Sequence, residues 1–575
     1  MTATRYPDPA AGGTQPAARP TVMGIDHMVS AGHYLAAEAG FAVLEAGGNA
    51  VDAGVAAGIA LGVVQSDLVN VAGVAPILIR MAETGRVVSI AGLGPWPAKT
   101  DAARFIGEFG GTIPLGVLRM VVPAAPDAWI TALARFGTMR FGEVARAAIR
   151  LARDGFVMYP LMAEIVAMQA ENYARWPSSA TIYLPGGKPP AVGERFVQAD
   201  LGATLQFMAD EEAASRGSRK EGLEAARAAF YTGDIAARIA DFVASEGGWL
   251  DRADLAAYRS PVEDAPSITW HGATVYGCGP WCQGPALLQA LKLLEGFDLR
   301  VMGHNTVDMI HTVAEALKLA FADRERFYTD PAHVPVALDR LLSEGYAAER
   351  RALIRPGEAW PEMPPPGELL GGLKGGPQGP DLDTSYVAVV DRHGNAFSAT
   401  PSDTSYSAPV VPGTGLVPSS RGSQSWADPD HPRAVAPGHR PRLTPNPALA
   451  VREGAYVMPF GTPGGDVQVQ AMTQTFLNLE TFGMEPQQAV EAPRFAMHSF
   501  PNSFEPHAYY PGRLTLEQPL FDEHGAALAA RGHKPEAWAA GTWRAGGMCL
   551  VRHDLKRKIL EGAADPRRPS YALGW

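Results

Sequence analysis

A layered α/β sandwich is the fold class this sequence predicts, and three observations carry the expectation. Helical patterning dominates the N-terminal part of the chain, period-two strand patterning takes over after residue 384, and a Pro/Gly-rich stretch separates the two. At 575 residues with a formal net charge of −11, the chain is long enough for a sizeable core. No run of like charges suggests a nucleic-acid arm. The 62 Gly and 49 Pro imply many turns and shaped loops between the layers.

The elements follow in order. Residues 1–22, "MTATRYPDPAAGGTQPAARPTV", lack the apolar region of a secretory signal and read as a disordered leader on a cytoplasmic protein. "HYLAAEAGFAVLEAGGNAVDAGVAAGIALGVVQ" predicts two helices. The first runs from His33 to Ala46 and stops at Gly47-Gly48; Asn49 is the N-cap of the second. That second helix is nearly all small and apolar, so burial on every side is expected. Ile77–Arg80 and Val87–Ala91 read as short strands, and helical periodicity returns over Glu143–Gly155 and Asp234–Ala244. "NTVDMIHTVAEALKLAFADRERF" is the strongest amphipathic pattern in the chain.

Arg355 to Leu382 has no periodicity and reads as a mobile, exposed segment. Beyond it, Tyr386–Val390 and Ala396–Thr400 form a hairpin around "DRHGN". Ala455–Phe460 is a further strand, followed by "GTPGGD" and a helix over Val467–Phe482. This strand, glycine turn and helix place backbone N–H groups at one helix N-terminus, suited to a bound anion or a developing oxyanion. No stretch of 18 apolar residues is present, so no membrane partner is expected. Cys278, Cys282 and Cys549 are too few for a disulfide framework. A metal at Cys278/Cys282 needs two further ligands that the sequence does not offer nearby.

Several segments, in order, resemble the γ-glutamyltransferase (γ-glutamyl transpeptidase) family of N-terminal nucleophile hydrolases. They are "EAGGNAVDA" at 45–53, "GLEAARAAFYTGDIAARI" at 222–239, "TSYVAVVDRHGNAFSAT" at 384–400, "VVPGTG" at 410–415, "HRPRLTPNP" at 439–447, "GTPGGD" at 461–466 and "EAPRF" at 491–495. The resemblance implies a four-layer αββα sandwich made as one chain and cut between Asp383 and Thr384. Residues 1–383 would form a large subunit, with 355–383 as its flexible pre-cleavage segment. Residues 384–575 would form the small catalytic subunit, and both would remain in one αββα domain. Cleavage gives Thr384 a free amine with an ordinary pKa near 8, able to take its own hydroxyl proton at neutral pH. The resemblance further implies that Ser402 orients the nucleophile and that Gly464 and Gly465 supply the oxyanion donors.

The substrate positions depart from the family pattern. Where the family has "NNxMDDF", this chain has "SSRGSQS", so Gln424 replaces the aspartate that holds a γ-glutamyl ammonium. Leu443-Thr444 replaces a serine pair, Thr404 an asparagine, and Leu93 the early arginine. Arg421, Arg440 and Arg442 are the cations nearby that can pair bidentately with a carboxylate. The pattern is similar to the amidohydrolase-like branch, including oxamate amidohydrolases, and implies an amide hydrolase acting on an oxamate-like or glutaryl-like amide with water as acceptor. True γ-glutamyl transfer is one alternative; an uncut, silent relative acting as a binding protein is another. No cofactor and no metal are expected, and higher oligomers remain open.

Overall fold

The computed structural model describes residues 17–366 and 384–575. Asn49 opens the helix Ala50–Val64 with a capping box. Its Oδ1 accepts from Val51 N and Asp52 N at 2.9 and 3.1 Å, and Asp52 Oδ2 accepts from Asn49 N at 2.9 Å. Every residue of this helix is buried. Its small residues are needed for that. A Cβ on Gly54 would sit 2.1 Å from the Phe397 ring, and one on Gly58 would sit 2.6 Å from Trp129.

Two seven-stranded sheets, each antiparallel throughout, form the centre. The first runs in the order Val22–Gly24, Ile559–Ala564, Cys549–Asp554, Tyr456–Gly461, Ala448–Arg452, Ala273–Gly277, Ser267–Trp270. The second runs Tyr571–Gly574, Met28–Ala31, Val387–Val390, Ala396–Ala399, Ile77–Arg80, Val87–Ile90, Val262–Asp264. Strands from before and after Thr384 therefore interleave in both sheets, and the hairpin that follows Thr384 lies between two strands that precede it.

Period-two alternation decides what each face covers. Val387, Val389, Phe397 and Ala399 pack with the helices Tyr34–Glu45 and Ala50–Val64. Their neighbours Ala388, Val390 and Ala396 pack with Leu449, Val451, Val457 and Val551 of the other sheet. Ala448, Ala450, Met458 and Phe460 face away from that contact, toward the helices Gly284–Leu294, Val307–Phe327 and Val467–Glu480. Ser398 Oγ donates to Ala448 O at 2.9 Å and Ser30 Oγ to Ala563 O at 2.6 Å, crossing from sheet to sheet. The three cysteines are unbridged thiols in this inter-sheet core.

Three expectations need correction. The helix Val307–Phe327 has its predicted extent but no solvent face: every residue from Met309 to Glu325 is buried. Its charges are paired inside the protein, Lys318 with Glu315 at 2.8 Å and Asp323 with Arg350 at 3.3 Å. Residues 17–22 of the expected leader are tied down. Ala18 N and Arg19 N donate to the Glu491 carboxylate at 2.5 and 3.1 Å, and Val22 begins a paired strand. Residues 355–358 and 361–362 are exposed as expected, but the segment 355–366 is anchored at points, because the buried polar groups of Val307–Phe327 need partners. His311 Nε2 lies 2.8 Å from Arg355 O, Trp360 N donates to Glu315 Oε2 at 3.0 Å, and Lys318 Nζ donates to Trp360 O at 2.7 Å. The remainder of both expected segments, 1–16 and 367–383 with Asp383, lies outside the described residues. No helix among the described residues is long and apolar enough to cross a membrane.

Candidate active site

Thr384 stands just before the strand Val387–Val390, fully buried, with φ +85°. That left-handed conformation is strained for a β-branched residue. Its backbone N–H donates to Leu68 O at 3.0 Å, in the turn that follows the buried helix Ala50–Val64. Thr384 Oγ1 lies 2.7 Å from Ser402 Oγ, and Gln468 Nε2 reaches it at 3.5 Å. Ser402 follows the strand Ala396–Ala399 and is held by Val74, its N–H donating to Val74 O at 3.0 Å.

Arg421, in the helical turn Arg421–Gln424, donates to Ser402 Oγ. With one Ser402 lone pair accepting from a guanidinium, the other lone pair and the hydroxyl proton remain, so either hydroxyl can be the donor across the 2.7 Å contact with Thr384 Oγ1. Asp403 lies under Arg421, 3.7 Å from Nε, and accepts from Ser419 Oγ at 2.5 Å and Ser420 Oγ at 2.8 Å. Burial pushes its carboxyl up, while Arg421 and the two serines draw it back.

The glycine turn approaches from the other sheet. After Tyr456–Gly461 the chain passes through Gly464 at φ +123° and Gly465 at φ +55°, then enters the helix Val467–Glu480. Gln283 Nε2 fixes this turn, donating to Gly465 O at 2.9 Å and Thr444 O at 2.8 Å. Gln468, in the first helical turn, accepts from Asn446 N at 3.2 Å and so connects the turn to Thr384. Behind it Asp466 pairs with Arg324 and accepts from Ser503 N at 2.8 Å.

A cavity of about 260 Å³ opens beside Ser402, lined among others by Arg119, Asp403, Thr404, Ser420, Arg421 and Glu505. Burial holds the Arg119 guanidinium down to about 10, and pushes the Glu505 carboxyl up against the pull of Arg119. The lining thus brings two cations and two acids to one small cavity, with Arg421 already on Asp403 and Ser402 and Arg119 on the carbonyls of Ile113 and Pro114.

The expected substrate residues divide between this cavity and the interior. Arg421 and Thr404 line it. Gln424 and Thr444 are fully buried and bonded to each other, Nε2 to Oγ1 at 3.0 Å. Arg440 and Arg442, expected as partners for a substrate carboxylate, are committed elsewhere. Arg440 grips Asp330 at 2.7 and 3.1 Å, and Arg442 reaches Glu325 at 2.8 Å and Ser503 at 2.7 Å. Neither lines the cavity, so neither is on offer to a ligand there. Sequence reasoning missed Leu68, Gln468, Arg119 and Glu505. For Gln468 there was a signal: a polar residue three positions after a glycine pair, in the first turn of the helix that follows it.

Among the described residues one cluster has metal-ligand geometry, His311, Glu315 and His533. Its atoms have protein partners in part. His311 Nδ1 lies 2.9 Å from His533 Nε2, and Glu315 is paired with Lys318.

The family model described as Gamma-glutamyltranspeptidase matches residues 36–575. The Acylase ACY 1 proenzyme of Pseudomonas sp. (strain SE83) is 36% identical over 520 residues, covering 88% of this chain and 87% of that protein. The Glutathione hydrolase-like YwrD proenzyme of Bacillus subtilis (strain 168) is 30% identical, covering 96% and 99%. The Oxamate amidohydrolase proenzyme of Klebsiella pneumoniae subsp. pneumoniae is 29% identical, covering 95% and 98%. Among solved structures, cephalosporin acylase from Bacillus halodurans superposes with a TM-score of 0.85 at 28% identity, covering 99% of each chain.

Proposed function

Because the chain belongs to the gamma-glutamyltranspeptidase family, we propose that it is a self-processing amide hydrolase. It cuts itself between Asp383 and Thr384 and then uses Thr384 to open a small carboxylated amide through an acyl-enzyme. The observation that carries this reading is the relay from Arg421 through Ser402 Oγ to Thr384 Oγ1, at the edge of a cavity that Arg421 itself lines. We read the helix, sheet, sheet, helix order of packing as the αββα sandwich of the N-terminal nucleophile hydrolase type.

The positive φ at Thr384 supports processing. A residue of this kind at φ > 0 stores about 1–3 kcal/mol, and that torsion ceases to exist once the bond preceding Thr384 is cut. After cleavage the Thr384 amine takes the Oγ proton and Oγ attacks the substrate carbonyl. Ser402 stabilises the developing charge on Oγ, and the turn at Gly464 and Gly465 faces the oxyanion. Water then resolves the ester. Arg421 and Arg119 recognise the substrate carboxylate.

Glu505 supports a second reading, γ-glutamyl transfer, because its carboxyl stands in the same cavity and can take over the ammonium that Gln424 cannot neutralise. Comparing kcat/KM on glutaryl-p-nitroanilide and γ-glutamyl-p-nitroanilide separates the two, since these differ only in the amino group. A preference for the glutaryl compound is expected; a clear preference for the γ-glutamyl compound establishes the second reading. A denaturing gel with intact mass tests processing. Two fragments, the second beginning at Thr384, are expected, and a persistent full-length band would sink the enzyme reading.

A further inference from the structure

The stretch that delivers the Leu68 carbonyl to Thr384 carries an acid that the scheme above leaves unused. Asp67 is fully buried, and no side chain among the described residues hydrogen-bonds either of its carboxyl oxygens. One residue on, Leu68 O accepts from both Thr384 N at 3.0 Å and Asp403 N at 3.2 Å. The peptide that positions the nucleophile's nitrogen is therefore the continuation of Asp67.

The surroundings are polar and incompletely satisfied. His33 Nε2, Gln65 Oε1, Ser66 Oγ and Ser385 Oγ are buried without hydrogen-bond partners among the described residues. They come from three segments that touch behind Thr384. Gln65 Nε2 donates to Gly32 O at 3.1 Å, and Gly32 N donates to Tyr386 O at 3.0 Å. A Cβ on Gly32 would lie 2.1 Å from Ser385 Oγ and 3.3 Å from Gln65 Oε1.

The titratable groups around Asp67 come from several elements. Tyr159 donates to Val64 O at 3.1 Å, Tyr183 to Ser66 O at 3.4 Å, and Tyr173 bonds Ser405 Oγ at 2.8 Å. Arg568 acts on both Asp67 and Tyr159, and Tyr34 on Tyr159. His33 stacks on Tyr34 and packs against Tyr159, and burial keeps it neutral. Burial pushes the Asp67 carboxyl up to about 7, with Arg568 and the amides of Asp67 and Leu68 drawing it back only in part. The other buried acid at the nucleophile, Asp403, is already held by Arg421 and two serines.

A buried carboxyl with no side chain bonded to it is costly to ionise. In the uncut chain the nitrogen of Thr384 is a neutral amide; cutting turns it into an amine that becomes cationic during acylation. We propose that Asp67 is a positioning residue for that amine, acting through the Leu68 peptide and through its charge. This rests on the self-processing reading of the same site. In acylation the Thr384 Oγ–H bond breaks, the proton moves to the Thr384 nitrogen and Oγ bonds the acyl carbon. The ammonium then gives that proton to the leaving nitrogen. Asp67 exchanges no proton in this cycle; its carboxylate stabilises the ammonium and raises the amine's proton affinity.

The test uses the processed full-length enzyme and its Asp67→Asn variant, with kcat/KM on glutaryl-p-nitroanilide followed from pH 5 to 9. Removing the negative charge lowers the amine's proton affinity, so the acid limb is expected to move to lower pH by about 0.5 unit or more, with a lower plateau. A role in packing alone lowers the plateau and leaves the limb in place, which would overturn the proposal. Should the variant fail to fold, infrared titration of 13C-carboxyl aspartate compares the processed enzyme with uncut Thr384→Ala. The buried acid is expected to titrate at lower pH in the processed enzyme, where an ammonium stands beside it. Identical titration in cut and uncut chains would overturn the proposal. A wild-type chain that never cuts at Thr384 would overturn this proposal together with the processing reading, whereas a cut chain with an unmoved limb overturns this proposal alone.

Discussion

Replacing Ser402 by alanine removes one hydroxyl from a fully buried position without changing core volume much. Its magnitude follows from what that oxygen does. Ser402 Oγ is the partner of Thr384 Oγ1 at 2.7 Å and takes the Arg421 guanidinium donor on its other side. Without it, the contact left to Thr384 Oγ1 is Gln468 Nε2 at 3.5 Å, the limit of a hydrogen bond. A hydrogen bond polarised by a charged group contributes about 1.5–3 kcal/mol. Because the charge on Thr384 Oγ develops during attack, that loss falls on the transition state, giving a decrease in kcat of about 10- to 150-fold. Self-cleavage uses the same oxygen and should slow by a similar factor. The assays are single-turnover release of p-nitroaniline by the processed variant, and the time course of fragment appearance on a denaturing gel. Rates of both steps within twofold of wild type would refute the relay.

Glu325 is surrounded by Arg324, Arg433 and Arg442, all buried, and these cations hold its carboxyl well below the usual range. Glu325→Gln leaves Arg433 and Arg442 short of a counter-charge, while Arg324 keeps Asp466, and should cost about 3–5 kcal/mol, read as a fall in the urea midpoint; an unchanged midpoint would contradict it. Gly464→Ala meets no atom nearer than 3.6 Å, so its cost lies in forcing φ +123° on a residue with a side chain. About 1–3 kcal/mol of strain is expected, with kcat reduced ~100-fold as the turn's N–H groups swing away, measured by urea denaturation and steady-state turnover; a fully active variant would remove the turn from the mechanism. His33, His498 and His533 are each held down to about 3 by burial. Their folded pKa lies below the unfolded value, so their contribution is intact above pH 6.5 and is lost as pH falls from 6.5 toward 3. At pH 5 each should cost ~2 kcal/mol, lowering the urea midpoint relative to pH 7, and a midpoint that stays level across that range would show these rings to be protonated in the folded protein.

Local chemistry was legible without a fold. Asn49 with Asp52 three residues on announced the capped helix, alternating apolar residues announced the strands at 387–399, and two glycines after a strand announced the turn at 464–465. Each is a signal confined to one stretch of chain. The helix Val307–Phe327 marks where such signals stop. Its period was correct, but whether a charged face meets water or other charges depends on what packs against it, and here residues 355–366 do.

The sequence by itself determined the family, the helical and strand periods, the candidate nucleophile Thr384 and its hydroxyl neighbour Ser402. The tertiary structure alone decided which cations reach the cavity. Arg421, Arg440 and Arg442 are alike in residue type, yet Arg421 lines it while the other two are spent on Asp330 and Glu325, more than 100 residues away in the chain. It also brought Leu68, and with it Asp67, behind a nucleophile more than 300 residues further on. The physical reason is that neutralising a buried charge and placing a backbone carbonyl are pairings between distant segments, and local periodicity carries no record of the partner.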